Sequence, residues 1–218
     1  MPVVSKNFTW SVNYTFSKNW NKVENLTGGP DKVILFRAFD AELDAVPGKT
    51  VTGLYAPVPL YTAEGKIIVN PSTGIPVSDP QKGYYGDAAY DYMMGLVNTL
   101  NYKNWGLNFS LDYRKGGVMY SGTSDLLLFT GGSYISTYND RRPFIVPNSV
   151  VQTSVDANGH AVYVENTTPI DEAHYDSYWY PTSNLAQSYS NRIIDRSFFK
   201  LRDVSLSYSL PQNWAAKI

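Results

Sequence analysis

The chain has 218 residues, 43% of them hydrophobic and 17% charged, and its 18 basic and 19 acidic side chains leave a net charge of −1. This balance excludes a nucleic-acid-binding protein built on a basic face. No apolar run approaches the roughly 18 residues that a membrane-spanning helix needs. The absence of cysteine excludes disulfides and thiolate metal sites.

The first strand is predicted near residues 7–17, where large apolar side chains alternate with small polar ones. The same period of two returns near residues 104–114 and 197–210. A helix would scatter these apolar side chains around its axis, so the pattern predicts strands with two unlike faces.

A fourth strand is predicted near residues 92–102, paired with the strand that follows it. If Lys103 and Asn104 form a two-residue turn, Tyr102 faces Trp105, and apolar side chains meet in four of five successive pairs. The exception is Asn98, which faces Phe109. A one-residue slip would set apolar against polar side chains, so the sequence predicts the register of this hairpin.

Two long segments, residues 18–91 and 115–196, separate these strands. Both are rich in turn residues, and the apolar run within 32–39 is either a strand inside the first segment or part of an extra crossing pair. Connections in compact soluble domains usually have about 4 to 6 residues. Tight turns that alternate with very long loops are typical of outer-membrane barrels. We therefore predict an all-β chain that forms a partial antiparallel transmembrane β-barrel, an open curved sheet with long extracellular loops over 18–91 and 115–196.

Alternation alone also fits a soluble β-sandwich, here a carbohydrate-binding module, whose second sheet would bury the apolar side chains. Two observations favour the membrane. Aromatic side chains lie near both strand ends, as in the interfacial girdles of barrels, and the opposite face carries Ser, Thr, Asn and Gly with few charges. The residues predicted to face lipid are Trp10, Val12, Tyr14, Trp105, Leu107, Phe109, Leu111, Leu206 and Tyr208.

Candidate chemistry is sparse. The segment 171–176 carries Asp171, Glu172, His174 and Asp176, which could ligate a cation, but it is interpreted as a solvated acidic loop. No metal site or cofactor is predicted. No nucleophile, base and orienting group can be assembled by spacing, so we expect no enzymatic activity.

Aromatic side chains on the second long segment are the best candidates for substrate binding. Planar rings on an exposed loop can stack on sugar faces, and polar neighbours can bind hydroxyls. The alternative is that they pack the loop against its neighbours. The candidates are Tyr175, Tyr178, Trp179 and Tyr180.

Four stretches resemble, in the right order, the SusC/RagA family of TonB-linked (TonB-dependent) outer-membrane transporters of Bacteroidetes-type bacteria. They are residues 7–23, 102–117, 142–147 and 197–211. The last stretch, Ser-Phe-Phe-Lys-Leu-Arg-Asp-Val-Ser-Leu-Ser-Tyr-Ser-Leu-Pro, is the most specific.

This resemblance implies energised uptake of large nutrients, such as glycans or peptides, across the cell outer membrane. The implied partners are the remainder of the barrel and its plug, a SusD-like surface lipoprotein, the TonB complex through missing N-terminal parts, and outer-membrane lipid, but no nucleic acid. The strands of a plugged barrel of about 22 strands alone need about 220 residues. We therefore expect residues 1–218 to be a late fragment of the C-terminal barrel domain, without plug and N-terminal domains.

Overall fold

The computed structural model describes residues 3–179 and 190–211, which contain fourteen strands and two short α-helices. The strands are β1 (Val3–Val4), β2 (Phe8–Ser17), β3 (Val33–Ala38), β4 (Ala41–Ala45), β5 (Gly53–Ala56), β6 (Ile67–Ile68), β7 (Gly83–Asp87), β8 (Tyr92–Tyr102), β9 (Trp105–Lys115), β10 (Val118–Tyr120), β11 (Ser149–Val155), β12 (Ala161–Glu165), β13 (Ile193–Asp195) and β14 (Phe198–Tyr208). The helices are α1 (Gly122–Phe129) and α2 (Glu172–Trp179), with 3-10 turns at Tyr134–Arg141 and Ser190–Arg192. The predicted all-β class is confirmed. Neither α1 nor α2, the α-helices of the described residues, is long and apolar enough to cross a lipid bilayer.

The chain divides into two compact units. The first unit comprises the described parts of residues 1–21, 89–117 and 195–218. It contains a five-stranded antiparallel sheet of order β1-β2-β8-β9-β14, which we call the main sheet. The second unit comprises the described parts of residues 22–88 and 118–194.

The hairpin of β8 and β9 has the predicted register. Tyr102 pairs with Trp105 across the turn, and Asn98 pairs with Phe109. Lys103 takes a positive φ of 53°, which lets two residues reverse the chain. Strand β14 pairs antiparallel with β9, and Tyr208 lies opposite Trp105. A β-bulge places Arg202 as an extra residue in β14, between Leu201 and Asp203. Alternation does not predict this bulge, which keeps apolar side chains on the same face on both of its sides.

In the second unit, the two long segments build one fold together. Strand β3 pairs with β4 in a four-stranded sheet of order β3-β4-β5-β7, so the apolar run that the sequence left open is a strand within the first segment. Strand β6 of the first segment pairs in parallel with β11 of the second. The turn residues of the two segments are local signals, and they could not predict pairing between such distant strands.

A buried ion-pair network stabilises the four-stranded sheet. The carboxylates of Glu42 and Asp44 on β4 are both buried, and the Lys32 Nζ atom lies 2.7 Å from each. The Lys82 Nζ atom also lies 2.7 Å from Glu42. Burial by itself raises the pKa of Glu42, but the hydrogen bonds from Lys32 and Lys82 and their charges outweigh it and lower this pKa from 4.5 to about 2.

This lowered pKa makes the sheet acid-sensitive. The ionised form of Glu42 is favoured by folding, so its contribution to stability is present above about pH 4.5 and is lost as the pH falls towards 2. We expect the hydrogen-exchange protection factors of β4 amides, corrected for the pH dependence of intrinsic exchange, to fall by at least about tenfold across this window.

Two substitutions distinguish the protonation of Glu42 from other effects of acid on the protein. Glu42→Gln should lower β4 protection already at pH 6 and remove most of the fall below pH 4.5, because no carboxylate is left to protonate. Glu165→Gln, at an exposed position on β12, should behave like the unchanged chain. An undiminished acid-induced fall in Glu42→Gln would contradict the assignment.

Candidate functional site

One face of the main sheet is covered by apolar and aromatic side chains. Directly paired residues project from the same side of a sheet, so Trp10, Leu100, Leu107 and Leu206 form one row across four strands. All nine residues predicted to face lipid lie on this side. The apolar face consists of Phe8, Trp10, Val12, Tyr14, Phe16, Tyr92, Met94, Leu96, Asn98, Leu100, Tyr102, Trp105, Leu107, Phe109, Leu111, Tyr113, Phe199, Leu201, Val204, Leu206 and Tyr208.

The described residues of the chain leave this face uncovered. None of its apolar side chains is buried, and Leu206, Val204 and Tyr14 are 66%, 57% and 56% exposed. A β-sandwich would bury the same row under a second sheet. A contiguous apolar surface of this extent marks a contact with a membrane or with another protein surface.

Aromatic side chains form two bands on the apolar face. Near the Lys103–Asn104 turn, the Trp105 and Tyr208 rings lie 4.7 Å apart. At the other end, the Tyr92 ring lies 5.9 Å from Phe16 and 6.0 Å from Tyr113. Trp105 and Tyr113 are separated by about 26 Å of strand, at about 3.3 Å per residue. If the strands tilt by about 35 to 45° from the barrel axis, the two aromatic bands lie about 20 Å apart along that axis. This is comparable with the apolar band of outer-membrane barrels, which is about 25 Å tall.

Asn98 is a buried amide in the middle of the apolar face. The Trp10 indole nitrogen donates a hydrogen bond of 3.1 Å to its Oδ1 atom. Trp10 lies diagonally across from Asn98, because Val12 is the direct partner. The sequence identified Asn98 as the polar exception among the apolar pairs of the hairpin. It did not identify Trp10 as the hydrogen-bond donor, because the two residues are 88 positions apart.

The opposite, polar face carries small hydroxyl and amide side chains. The Asn101 Nδ2 atom donates to Thr9 Oγ1 at 3.2 Å. A Cβ atom on Gly106 would lie 2.6 Å from the Ser207 Oγ atom, so a larger side chain here would displace its neighbour. Charged residues are concentrated on this face towards the end of the sheet that lies away from the Lys103–Asn104 turn, and sequence analysis did not single them out.

Two of the four predicted substrate-binding aromatics have a packing role in this structure. Tyr178 and Trp179 are buried, and they belong to a hydrophobic cluster with Phe144, Val146 and Ile170. The Tyr178 ring lies 5.2 Å from Phe144 and 4.9 Å from Trp179, at nearly perpendicular angles. A sugar could stack on these two rings only if the cluster opened, which agrees with the alternative of loop packing. Their role in binding stays a prediction.

Tyr175 is half-buried, and its hydroxyl donates to the Ser136 carbonyl oxygen at 2.9 Å. Tyr180 lies outside the described residues. Tyr175 and Trp179 also line a pocket of about 200 Å³. Ligand sites usually provide about 300 Å³ or more, so this pocket suits a single ring-sized group. Its other lining residues are Leu128, Gly131, Ser136, Arg141 and Asp176.

The acidic segment 171–176 begins helix α2. The Asp171 Oδ1 atom accepts hydrogen bonds from the backbone N–H of His174 at 3.0 Å and from its Nδ1 atom at 2.7 Å. These bonds lower the pKa of Asp171 and cap the helix. Within residues 3–179 and 190–211, no group of three His, Asp or Glu side chains is placed to hold a metal ion.

A buried ion pair lies beside the hydrophobic cluster that contains Tyr178 and Trp179. The Arg192 Nε atom lies 2.8 Å from Asp125 Oδ1, and another guanidinium nitrogen donates to the Trp179 carbonyl oxygen at 3.3 Å. Arg192 therefore joins α1 to the end of α2. Sequence analysis missed this pair because no local pattern links positions 67 residues apart.

Comparison with known proteins shows that the chain is similar to TonB-dependent receptors. The receptor SusC of Bacteroides thetaiotaomicron is 28% identical over 155 residues, which cover 62% of this chain and 16% of SusC. The receptor P3 of Formosa agariphila is 24% identical over 238 aligned positions, which cover 99% of this chain and 21% of P3. The chain thus spans about a fifth or less of these relatives. No protein-family model matches it.

The hydrogen bond between Trp10 and Asn98 gives a testable prediction. Trp10→Phe keeps an aromatic ring but leaves the buried Asn98 oxygen without its indole donor. We expect it to lower the free energy of unfolding in detergent by about 1 to 2 kcal/mol, measured by urea denaturation.

Trp105→Phe is the matched control, since it removes the same atoms from a ring that contacts Tyr208 on the same face. Trp105→Phe should lower the free energy of unfolding by clearly less than Trp10→Phe. Asn98→Leu in the Trp10→Phe background should restore stability, because no buried amide is then left unpaired. Equal losses for the two tryptophan variants would show that the hydrogen bond is not the cause.

Proposed function

We propose that the chain forms part of the barrel wall of an outer-membrane TonB-dependent receptor of the SusC/RagA group. The single observation that carries the proposal is the uncovered apolar face, flanked by two aromatic bands. A polar lumen on one side and lipid on the other require such a two-faced sheet. The similarity to SusC and P3 supports the same class of protein.

The edges of the main sheet support a place within a larger barrel. Strand β14 forms one edge, and β1 covers β2 through two residue pairs, Val3 with Trp10 and Val4 with Thr9. Open edges promote aggregation, and barrel closure removes them. We propose that further strands of the same receptor pair with these edges, and that its plug lies against the polar face.

In this proposal the receptor takes up large nutrients, such as glycans or peptides, and performs no catalysis. Residues 18–91 and 115–196 face the exterior, where a SusD-like lipoprotein would meet them, and the TonB complex acts through other parts of the receptor. The alternative of a soluble carbohydrate-binding β-sandwich is not favoured, because the side chains that would form its core are exposed or half-buried.

Two neighbouring arginine substitutions test the membrane assignment. Phe109→Arg would bring a charge to the middle of the apolar face, and in the full-length protein it should lower the free energy of unfolding in lipid by about 2 to 4 kcal/mol. Ser110→Arg, one residue along the strand, projects from the polar face beside Asp203 and should cost much less. The measurement is reversible urea unfolding from lipid vesicles.

Equal tolerance at the two positions would contradict the proposal, because lipid contact is restricted to one side of each strand. A third variant, Phe109→Leu, controls for the loss of the ring. It should cost less than Phe109→Arg, since it keeps an apolar side chain against hydrocarbon.

A further inference from the structure

Two neighbouring turns of the main sheet each carry a lysine at the same end of the sheet. Lys6 lies in the turn between β1 and β2, and Lys103 lies in the turn between β8 and β9. The backbone N–H of Lys103 donates a hydrogen bond of 2.8 Å to the Asn7 carbonyl oxygen, so the two turns are joined. Both lysine side chains are exposed.

A cavity of about 470 Å³ is lined by residues of both turns. Thr9 and Asn101 also line it, and they pair directly across β2 and β8 on the polar face of the sheet. Sites that bind another molecule usually provide about 300 to 1,000 Å³, so this cavity has room for a partner. The turn-end site, as we call it, consists of Lys6, Asn7, Thr9, Asn101 and Lys103.

The first unit places no carboxylate near the turn-end site. Residues 1–21, 92–111 and 204–218 contain no Asp or Glu. The nearest carboxylate along the sheet belongs to Asp203, whose partner Ser110 is five residues, or about 17 Å of strand, beyond Trp105. Physiological salt screens charges that are more than about 8 Å apart. Among the residues that the structure describes, none forms an ion pair with Lys6 or Lys103.

We propose that the turn-end site binds carboxylate side chains of the receptor's plug. This inference rests on the proposed function, in which the plug lies against the polar face. A surface that covers two lysines must bring partners for them, because a buried cation without a partner is costly. Ammonium groups form strong, charge-assisted hydrogen bonds with carboxylates. The chain spans about a fifth or less of its relatives, so most of such a receptor lies outside these residues.

Lipid phosphate is the competing partner for the two lysines. The Lys103 Nζ atom lies 5.4 Å from the centre of the Tyr102 ring, which belongs to the apolar face. Thr9 and Asn101, however, project from the opposite face, and they line the same cavity as both lysines. Lipid contacts the outer side of a barrel wall and not its lumen. The cavity therefore favours a partner inside the barrel.

Carbodiimide cross-linking of the full-length receptor tests the inference, because the reagent joins a lysine only to a carboxylate in direct contact. The joined peptides are identified by mass spectrometry. We expect Lys6, Lys103 or both to be joined to an Asp or Glu outside residues 1–218. Lys18, which follows the other end of β2, is the control and should not be joined to the same segment. Cross-links only to residues within 1–218, or none from either lysine, would overturn the inference.

Two double variants measure what the contact contributes. Lys6→Glu with Lys103→Glu should raise the hydrogen-exchange rate of the cross-linked plug peptide at least about tenfold, because like charges then face each other. Lys6→Arg with Lys103→Arg keeps both charges but removes the reactive amines. It should abolish the cross-links and leave the exchange rate within about twofold. The cross-linking result decides the question even if the glutamate variant does not fold.

Native mass spectrometry with added phosphatidylglycerol tests the lipid alternative. We expect the folded glutamate variant to retain as much of this lipid as the unchanged receptor, within about twofold. Loss of bound phosphatidylglycerol, together with unchanged exchange of the plug peptide, would assign the lysines to lipid and overturn the inference.

The lipid test at Phe109 and Ser110 is independent of the cross-linking. If that test gives the expected difference but neither lysine is joined to the plug, the inference is wrong and the proposed function stands. If the cross-links form but the arginine pair is tolerated equally, the acidic contact stands and the membrane assignment is wrong.

Discussion

The structure depends on one constraint: the described residues leave the apolar face of the main sheet uncovered. Each apolar side chain exposed to water costs about 25 cal/mol for every Å² that could have been buried. Leu206 and Tyr14 are more than half exposed, so they require a cover from outside the described residues. Hydrocarbon is the cover that the aromatic bands and the strand length fit best.

The second unit differs from the main sheet because it contains buried clusters of its own, although side chains such as Phe36, Phe39 and Tyr134 are exposed. Tyr178 and Trp179 pack in a buried cluster, and Arg192 pairs with Asp125 beside it. Glu42 and Asp44 are buried with lysine partners. Long loops that carry their own cores can hold a defined shape, whereas the main sheet needs a partner on one face and at its edges.

The sequence predicted what depends on neighbours along the chain. Alternation and a tight turn determine which residues of β8 and β9 meet, so that register was predictable. Pairing of β6 with β11, the bond from Trp10 to Asn98 and the ion pair of Asp125 with Arg192 join distant positions, which local patterns do not report. The ion pair of Arg202 with Asp112 was missed for the same reason, although alternate charges at Lys200 and Arg202 near a strand end were a usable signal. The aromatic pattern at 175–180 could not separate exposed rings from buried ones.

Spin labels along β9 test the central claim most directly, and the chain has no cysteine of its own to interfere. Single cysteines at positions 107 to 111 would be labelled in the full-length protein in lipid bilayers, and collisions with oxygen and with a water-soluble nickel chelate would be measured. Oxygen should dominate at Leu107, Phe109 and Leu111, and nickel at Asn108 and Ser110. Labels at 107, 109 and 111 that reach neither reagent, as under a second protein layer, would contradict the account.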